Sequence, residues 1–443
     1  MLSKVRNNPK KTIFFSGLIA YGGYFLNEKY KNYVLRRQFC AEAKVLGDTS
    51  ITPLKELTRV TVIHNPYANN RKCKDNFHKN IFPLLNLSGY KVTVVETDKA
   101  EEAKEMMSVL KSDDQDCIYI AGGDGTLMEI VTGLLRRVDL RDQIHKIPLA
   151  LAPLGITNSS VRKLFSNKLS AGSNEQLIRA CNESVNLIQK NKIKPVNVLE
   201  IRTIPEQKSE NDTNNMESDF VSKEVYAISG LDWSIDREVQ KNGKRKWIFG
   251  PFRQYFQYTF TGLLRKHQES NKLATLIYLE PCDGCRNCAH KILTGKPNGA
   301  YTSTVGSIGR FMFPMFFKET IIKEKETALE FKEKSQIENS RCGAVHERKV
   351  CIRGLSVILE EGRLRVKIVN PEPEMIQYIR SGIEKLKEVP YDSSNACDET
   401  FACTELKIIP ETKSTEKFYI DNEELEALPI EIKVLKDALY FYS

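Results

Sequence analysis

The 443-residue sequence contains no RNA-recognition signature, no paired zinc-finger spacing and no long basic run interleaved with aromatics. Its net charge of +9 therefore points to nucleotide phosphates or anionic lipid, and nucleic acid is the least supported acidic partner. No internal repeat is visible, which argues against a solenoid or array. There are eleven cysteines, an odd number, and most are scattered, as at Cys40, Cys73, Cys117 and Cys181. That excludes a disulfide scaffold and fits a mainly reduced protein. Mean hydropathy is −0.38, which excludes a polytopic membrane protein. A hydrophobic fraction of 41% still leaves material for a substantial core, in two domains or one domain with appendages.

Acid is also missing from the N-terminus, where the first acidic residue is Glu28. Lys4, Arg6, Lys10 and Lys11 precede an uncharged, mostly apolar stretch, Thr12–Leu26, and Lys29, Lys31, Arg36 and Arg37 follow it. As a helix, Ile13–Leu26 would reach about 21 Å at 1.5 Å per residue. A hydrocarbon core is about 30 Å thick, so a complete span is not assured. The sequence after Leu26 offers no small-residue cleavage site, which disfavours a secretory signal. A basic, acid-poor start with an uncleaved anchor suits a mitochondrial membrane protein. The competing reading, a buried core helix, is weakened by Gly17, Gly22 and Gly23. Residues 1–50 are therefore expected to be a targeting and anchor segment.

From about residue 58 the chain alternates strand and helix. Strand patterns occur at Arg59–Pro66, Tyr90–Thr97, Asp116–Gly122 and Ile147–Gly155. Between them, Phe77, Ile81, Leu84 and Leu85 recur at helical spacing, as do Ala100, Ala103, Met106, Met107 and Leu110. Leu127, Ile130, Val131, Leu134, Leu135 and Val138 form a third helical face. Such alternation implies an α/β domain over residues 58–195, with a doubly wound parallel sheet covered by helices on both faces. Beyond about 195, short strands follow one another without regular helices: Val196–Ile201, Glu224–Ile228, Leu273–Glu280, Leu355–Leu359 and Leu364–Val369. A hairpin turn is expected at Glu360–Arg363. Residues 196–443 thus read as a mostly antiparallel β domain, with mobile insertions expected near 205–219 and 281–350. The charged tract Lys318–Arg341 is either an exposed helix or disordered.

One segment concentrates chemistry: "GGDGT", Gly122–Thr126, between the third strand and its helix. In an open α/β sheet, ligands bind beyond the carboxyl ends of the strands. Glycines let phosphate oxygens approach backbone N–H groups without meeting a Cβ, and the following helix offers its positive end. Thr126 and Glu129 have capping-box spacing. Gly122, Gly123 and Gly125 are then the floor of a nucleotide phosphate site. Asp124 beside phosphates is repelled unless a metal cation or a proton in transit compensates. Phosphoryl transfer supplies both, since Mg2+ neutralises charge and an aspartate accepts the proton of the attacking hydroxyl. The plain alternative is a tight Asp-Gly turn.

Here the sequence resembles the diacylglycerol kinase catalytic domain, shared by sphingosine, ceramide and acylglycerol kinases; the motif also resembles that of NAD kinases. His64–Lys72 resembles the family's first nucleotide loop, with Asn69 where glycine is common. Glu96–Asp98 resembles the turn whose threonine contacts nucleotide. Pro153–Ser159 resembles its P-L-G-[ST]-x-N loop, with Ile156 for the small polar residue. Lys79–Met107, Val131–Arg137 and Tyr419–Phe441 look most like the acylglycerol kinases of mitochondria, whereas the likeness is weak between about 205 and 350. The resemblance implies an α/β nucleotide lobe followed by a β-sandwich lobe carrying lipid contacts, ATP as co-substrate with Mg2+, and mono- and diacylglycerol as acceptors. It places Asn65, Thr97, Thr126 and Gly155 at the nucleotide. It also implies the mitochondrial inner membrane, facing the intermembrane space, and a place among the carrier-translocase subunits. A ceramide or sphingosine kinase, a soluble NAD-type kinase, or a non-catalytic assembly subunit retaining the fold are the competing functions.

Further candidates follow. Asp421-Asn422-Glu423 resembles the family's late D-G-E turn, with Asp421 a candidate Mg2+ ligand and Glu423 near the nucleotide or in proton transfer; an ordinary acidic turn is the alternative. Asp232, Ser234 and Asp236 stand where relatives place headgroup contacts, or are exposed-loop acids. Cys282, Cys285 and Cys288 have C-x2-C-x2-C spacing, with His290 as a possible fourth ligand, and could hold structural Zn2+; Cys342 and Cys351 could complete this or a disulfide. The aromatic stretches Lys246–Lys266 and Arg310–Lys318 could form an acyl slot, rest on the bilayer, or pack in a core.

Overall fold

The structure is a computed structural model that describes residues 9–50, 57–99, 101–137, 147–156, 158–165, 173–204, 224–234, 236–237, 239, 253–264, 271–282, 285, 339–340, 342–371, 374–385, 399–411, 416–421 and 423–443. The expected insertion at 205–219, the stretch 310–318 and nearly all of 318–341 lie outside them.

The N-terminal part runs α1 (Pro9–Ser50), β1 (Arg59–His64), α2 (Lys72–Asn80), α3 (Phe82–Leu87), β2 (Lys91–Glu96), α4 (Glu102–Val109), β3 (Cys117–Gly122), α5 (Asp124–Leu135), β4 (Leu149–Pro153), α6 (Ser159–Phe165) and α7 (Asn174–Lys190). Strands β2, β1, β3 and β4 pair in parallel in that order. All six residues of β3 are buried, as a run of apolar residues covered on both faces must be. One face packs α4 and α5: Leu127, Ile130, Val131, Leu134 and Leu135 are buried there with Ala103 and Met107, each large side chain contributing about 1.5–3 kcal/mol. The other face packs α2, α3 and α7 through Phe77, Leu85, Ile178 and Val185. The single helical stripe expected over Phe77–Leu85 is two helices that break at Ile81. Pro83 has no N–H to continue the first helix.

The rest comprises β5 (Ile193–Thr203), β6 (Glu224–Ala227), β7 (Gly230–Ser234), α8 (Arg253–Leu263), β8 (Lys272–Leu279), β9 (Val345–Ile352), β10 (Gly354–Glu360), β11 (Arg363–Val369), α9 (Met375–Lys385), β12 (Glu399–Cys403), β13 (Glu405–Pro410), β14 (Lys417–Ile420), β15 (Glu423–Glu426) and β16 (Ile430–Tyr442). Six strands, β12-β11-β10-β7-β14-β15, make one antiparallel sheet. The β10–β11 turn has Glu361 at φ 49° and Gly362 at φ 75°, the doubly left-handed turn that a two-residue hairpin needs. This sheet packs over β5, β8, β9, β13 and β16, burying Leu231, Trp233, Val357, Val366, Leu276 and Ile432 between the layers, a β-sandwich.

The two parts are not separate sheets. β16, at the end of the chain, pairs in parallel with β4 and antiparallel with β5 and β13. One ten-stranded sheet therefore runs from β2 through β4 into the sandwich. Its last residues fill the first lobe: Phe441 packs in the α5-side core and Tyr442 in the other.

Helix α1 divides in two. Its later half lies on the body, with Phe39 and Ala43 buried and Arg36 Nε donating to Asn80 Oδ1 at 2.7 Å. Its earlier half carries exposed Phe14, Leu18, Ile19, Tyr21, Tyr24 and Leu26, so it is not a buried core helix. Among the described residues no helix is long and apolar enough to cross a membrane.

Because β16 joins both lobes, Phe441→Ala should remove about 3–5 kcal/mol and shift a single cooperative unfolding transition of the detergent-solubilised chain. Two separate transitions in urea, with one unmoved, would contradict a shared sheet.

Candidate functional site

The "GGDGT" segment lies beyond the carboxyl end of β3 and opens a cleft of about 470 Å3. Gly123 is the N-cap of α5, extended at φ −103°, ψ −171°, and contributes no side-chain cap. Leu127 N donates to Gly123 O at 3.1 Å, the first helical bond. The N–H groups of the first turn have no carbonyl one turn earlier, and Gly123, Asp124, Gly125 and Thr126 line the cleft. The expected capping box is not formed, because the helix starts at Asp124, three residues before a Thr126 cap would allow. Thr126 Oγ1 instead accepts from Asn65 Nδ2 at 3.0 Å, and Glu129 Oε1 accepts from Glu101 N at 3.1 Å.

Each glycine has a different steric reason. A Cβ at Gly122 would lie 2.6 Å from the Thr126 hydroxyl oxygen, and one at Gly155 would lie 2.8 Å from Gly123 Cα. A Cβ at Gly125 would lie 2.8 Å from Glu423 Cδ. The bare backbones of the β3–α5 and β4–α6 turns thus touch, and Glu423 covers a third glycine from the sandwich lobe. Asn158 organises the second turn: its Oδ1 accepts from Gly155 N at 2.8 Å, and its Nδ2 donates to Gly155 O at 3.1 Å. Asn158 sits at φ 48°, a backbone state asparagine tolerates. Asn69, where glycine was the resemblance's usual residue, is at φ 54° and meets the same need.

Asn65, Thr97, Gly123, Asp124, Gly125, Thr126, Gly155 and Glu423 all line the cleft, joined by Tyr67, Asp98, Lys99 and Glu129. Gly122 stands behind it, under Thr126. Lys99 is the one cation among these lining residues, against Asp98, Asp124, Glu129 and Glu423. Burial pushes the Glu129 carboxyl up. Partial burial, then Glu129 and Asp124, push Glu423 up. Carboxylates gathered around Glu423 beside a glycine floor fit a divalent cation, whose charge would offset their repulsion and that of phosphates.

Asp124 is held from outside its own helix. Its Oδ2 accepts from Ser159 N at 3.1 Å and its Oδ1 from Ser160 N at 3.0 Å, so it caps α6. Behind α6 lies a buried polar hub that sequence reading missed. Ser160 Oγ meets Ser229 Oγ at 2.7 Å, and Lys163 Nζ donates to Ile228 O at 2.8 Å and Ser229 O at 3.1 Å. Asp421 receives the matching N–H groups: Ile228 at 2.8 Å, Ser229 at 2.7 Å and Gly230 at 3.1 Å. Burial lowers the Lys163 ammonium to about 8. Burial, reinforced by Asp124, lifts Asp421 to about 6. Asp421 is fully buried with both oxygens on backbone, and it does not line the cleft; Asn422 lies outside the described residues.

The headgroup candidates stand elsewhere. Asp232 pairs with Arg237 at 2.9 Å, Ser234 Oγ accepts from Arg237 N at 3.4 Å, and Asp236 pairs with Arg353 at 2.5 Å. Asp236 and Arg353 are buried, and the guanidinium lies 4.4 Å from the Tyr378 ring centroid. These acids are therefore not exposed. Of the cysteines, Cys282 and Cys285 meet Cys342. Cys351 is exposed, while Cys288 and His290 lie outside the described residues. On α8, Tyr258 is buried against Tyr378, whereas Phe256, Phe260 and Leu263 are exposed, so the first aromatic stretch both packs and faces out.

The diacylglycerol kinase catalytic domain model matches residues 59–201. The chain is 30% identical to the mitochondrial acylglycerol kinase of Mus musculus over 445 residues, covering 99% of this chain and 95% of the mouse protein. The same protein of Homo sapiens is 30% identical over 444 residues, with the same coverage of 99% and 95%. A sphingosine kinase 2 of Arabidopsis thaliana is 31% identical over 107 residues, 24% of this chain and 22% of its own.

The hub makes a signed prediction. An Asp421 carboxyl that releases its proton near pH 6 when folded, against about 4 unfolded, binds protons better in the native state. Its stabilising contribution is full below pH 4 and is lost as pH rises to about 6. Asp421→Asn sets an N–H against one of three donors and should destabilise throughout, but its deficit in urea unfolding should narrow between pH 4 and 6. A deficit that widens would mean that the three N–H bonds outweigh burial.

Proposed function

The chain belongs to the acylglycerol kinase family, built on the diacylglycerol kinase catalytic domain, and it is a lipid kinase; on that premise we propose that it transfers the terminal phosphoryl group of ATP to mono- and diacylglycerols, yielding lysophosphatidate and phosphatidate. The observation that carries this reading is the cleft floor, where Gly123, Gly125 and Gly155 present bare backbone among four carboxylates.

The first-turn N–H groups of α5 and the Gly155 turn bind the phosphates, aided by Lys99. Glu129 and Glu423, which face the cleft, are the residues that would hold Mg2+; Asp421 is less suited, with its oxygens already on backbone. When bound, the ion supplies charge neutralisation on the β- and γ-phosphate oxygens. Asp124 sits beside the floor, oriented by Ser159 and Ser160, and accepts the proton of the attacking glycerol hydroxyl. Glu423 stands at the cleft wall beside that transfer. Asn65 and Thr97 position the nucleotide, Asn65 by holding Thr126. Asp232, Ser234 and Asp236 support the lipid end through the arginines they fix.

Acylglycerols remain in the bilayer, so the enzyme must work at its surface. The exposed apolar half of α1 and the exposed Phe256, Phe260, Leu263 and Ile376 of α8 and α9 support attachment there. The family relation supports a mitochondrial address, and within it we place the protein on the inner membrane facing the intermembrane space. Membership of the carrier translocase belongs to the same proposal and does not depend on the cleft.

The test uses purified full-length chain with labelled ATP and monoacylglycerol, diacylglycerol, ceramide, sphingosine or NAD. Transfer to acylglycerols is expected, falling about 10²–10⁴-fold in Asp124→Asn. Gly123→Glu, which extends a negative side chain over the phosphate floor, should abolish transfer yet leave membrane association in carbonate extraction unchanged. Labelling of NAD alone, or full activity in Asp124→Asn, would defeat the reading.

A further inference from the structure

The long connection between β8 and β9 is closed at its base by sulfur. β8 and β9 pair antiparallel, with Leu279 opposite Val345. Cys282 and Cys285 follow the end of β8, and Cys342 precedes the start of β9. Their three Sγ atoms lie within 4.8 Å of one another. Cys285 is wholly buried, and Cys282 and Cys342 are partly so. Asn339 Nδ2 donates to Cys282 Sγ at 3.4 Å, a bond that favours a sulfur carrying negative charge. Glu280 and His346 pair across the same two strand ends at 3.1 Å.

We propose that Cys282, Cys285 and Cys342 bind a structural Zn2+ that fastens the two ends of this connection to the edge of the sandwich. The distances favour it. A tetrahedral ion with Zn–S bonds of about 2.3 Å separates its sulfurs by about 3.8 Å, so shifts of about 1 Å or less seat it. The ligand pattern favours it too: a C-x2-C pair and a third cysteine arriving from some sixty residues away is an arrangement in which one ion ties together two distant stretches of chain. A disulfide would engage two of the sulfurs and leave the third in a poor environment, whereas the ion engages all three. Binding exchanges the thiol protons for the cation, so affinity falls with acidification. The described residues supply three of the four donors that a closed site takes. Cys351 takes no part, because it sits opposite Leu273 at the far end of β9. The site is independent of the phosphoryl-transfer cleft.

The full-length chain, purified without chelator from cells grown with zinc, should carry about one zinc per chain by elemental analysis. Exchange with Co2+ should produce thiolate-to-metal charge-transfer absorption. Cys285→Ser and Cys342→Ser should each weaken zinc retention against a competing chelator at least about tenfold, and Cys351→Ser should not. If a ligand variant fails to fold, the wild-type cobalt spectrum still decides. Wild type that holds no zinc and shows no cobalt–thiolate band overturns the proposal, as does a disulfide between any two of the three, or a Cys342→Ser protein that retains zinc fully.

Discussion

The close approach of two side-chain-free turns governs the rest of the molecule. Gly123 and Gly155 meet backbone to backbone, so close that a Cβ at 155 would lie 2.8 Å from Gly123 Cα. That contact brings the start of α5 beside the start of α6, and only in that arrangement can the Asp124 carboxylate accept from Ser159 and Ser160. An anion seated on the first N–H groups of a neighbouring helix offsets its own burial, which would otherwise cost several kcal/mol. The same seating fixes its direction beside the glycine floor of the cleft. Steric, electrostatic and functional demands thus converge on a few residues, and none of them is met by side-chain bulk.

The junction of the lobes rests on a related device. Ile228–Gly230 is a backbone turn whose N–H groups go to the Asp421 carboxylate, whose first two carbonyls accept from Lys163 and whose third accepts from Asp421 N. A carboxylate and an ammonium on opposite sides of one turn leave its polar groups satisfied in a dry interior. Asp421 lies on the sandwich side, two residues before Glu423, and Lys163 lies on α6, whose start Asp124 caps. Glu423 therefore reaches the cleft because Asp421 is anchored. The continuous sheet through β16 adds a second tie, so the cleft wall that comes from the sandwich is held in register with the floor.

Local signals were the readable ones. The parallel strands, the stripe on α5, the hairpin at Glu361–Gly362 and the glycine turn are each set by residues within a few positions of one another. What the sequence did not disclose is long-range. Arg353 partners Asp236 from 117 positions away, a buried ion pair that no local signal announces. β16 is an ordinary strand by composition, and nothing local says that it returns to the first lobe. The capping box failed because the spacing rule does not know where the helix begins: Gly123 starts it early, which frees Thr126 to meet Asn65. Cys342 joins Cys282 and Cys285 only because β8 and β9 pair, whereas spacing alone pointed to Cys288.

The account depends on ATP phosphates resting against the Gly123–Thr126 backbone. A crystal structure with a non-hydrolysable ATP analogue and Mg2+ tests this most directly. The triphosphate should lie on the first-turn N–H groups of α5, between Gly125 and Gly155 and within reach of Lys99. A triphosphate bound elsewhere, or a turn closed against Glu423 with no nucleotide, would contradict it.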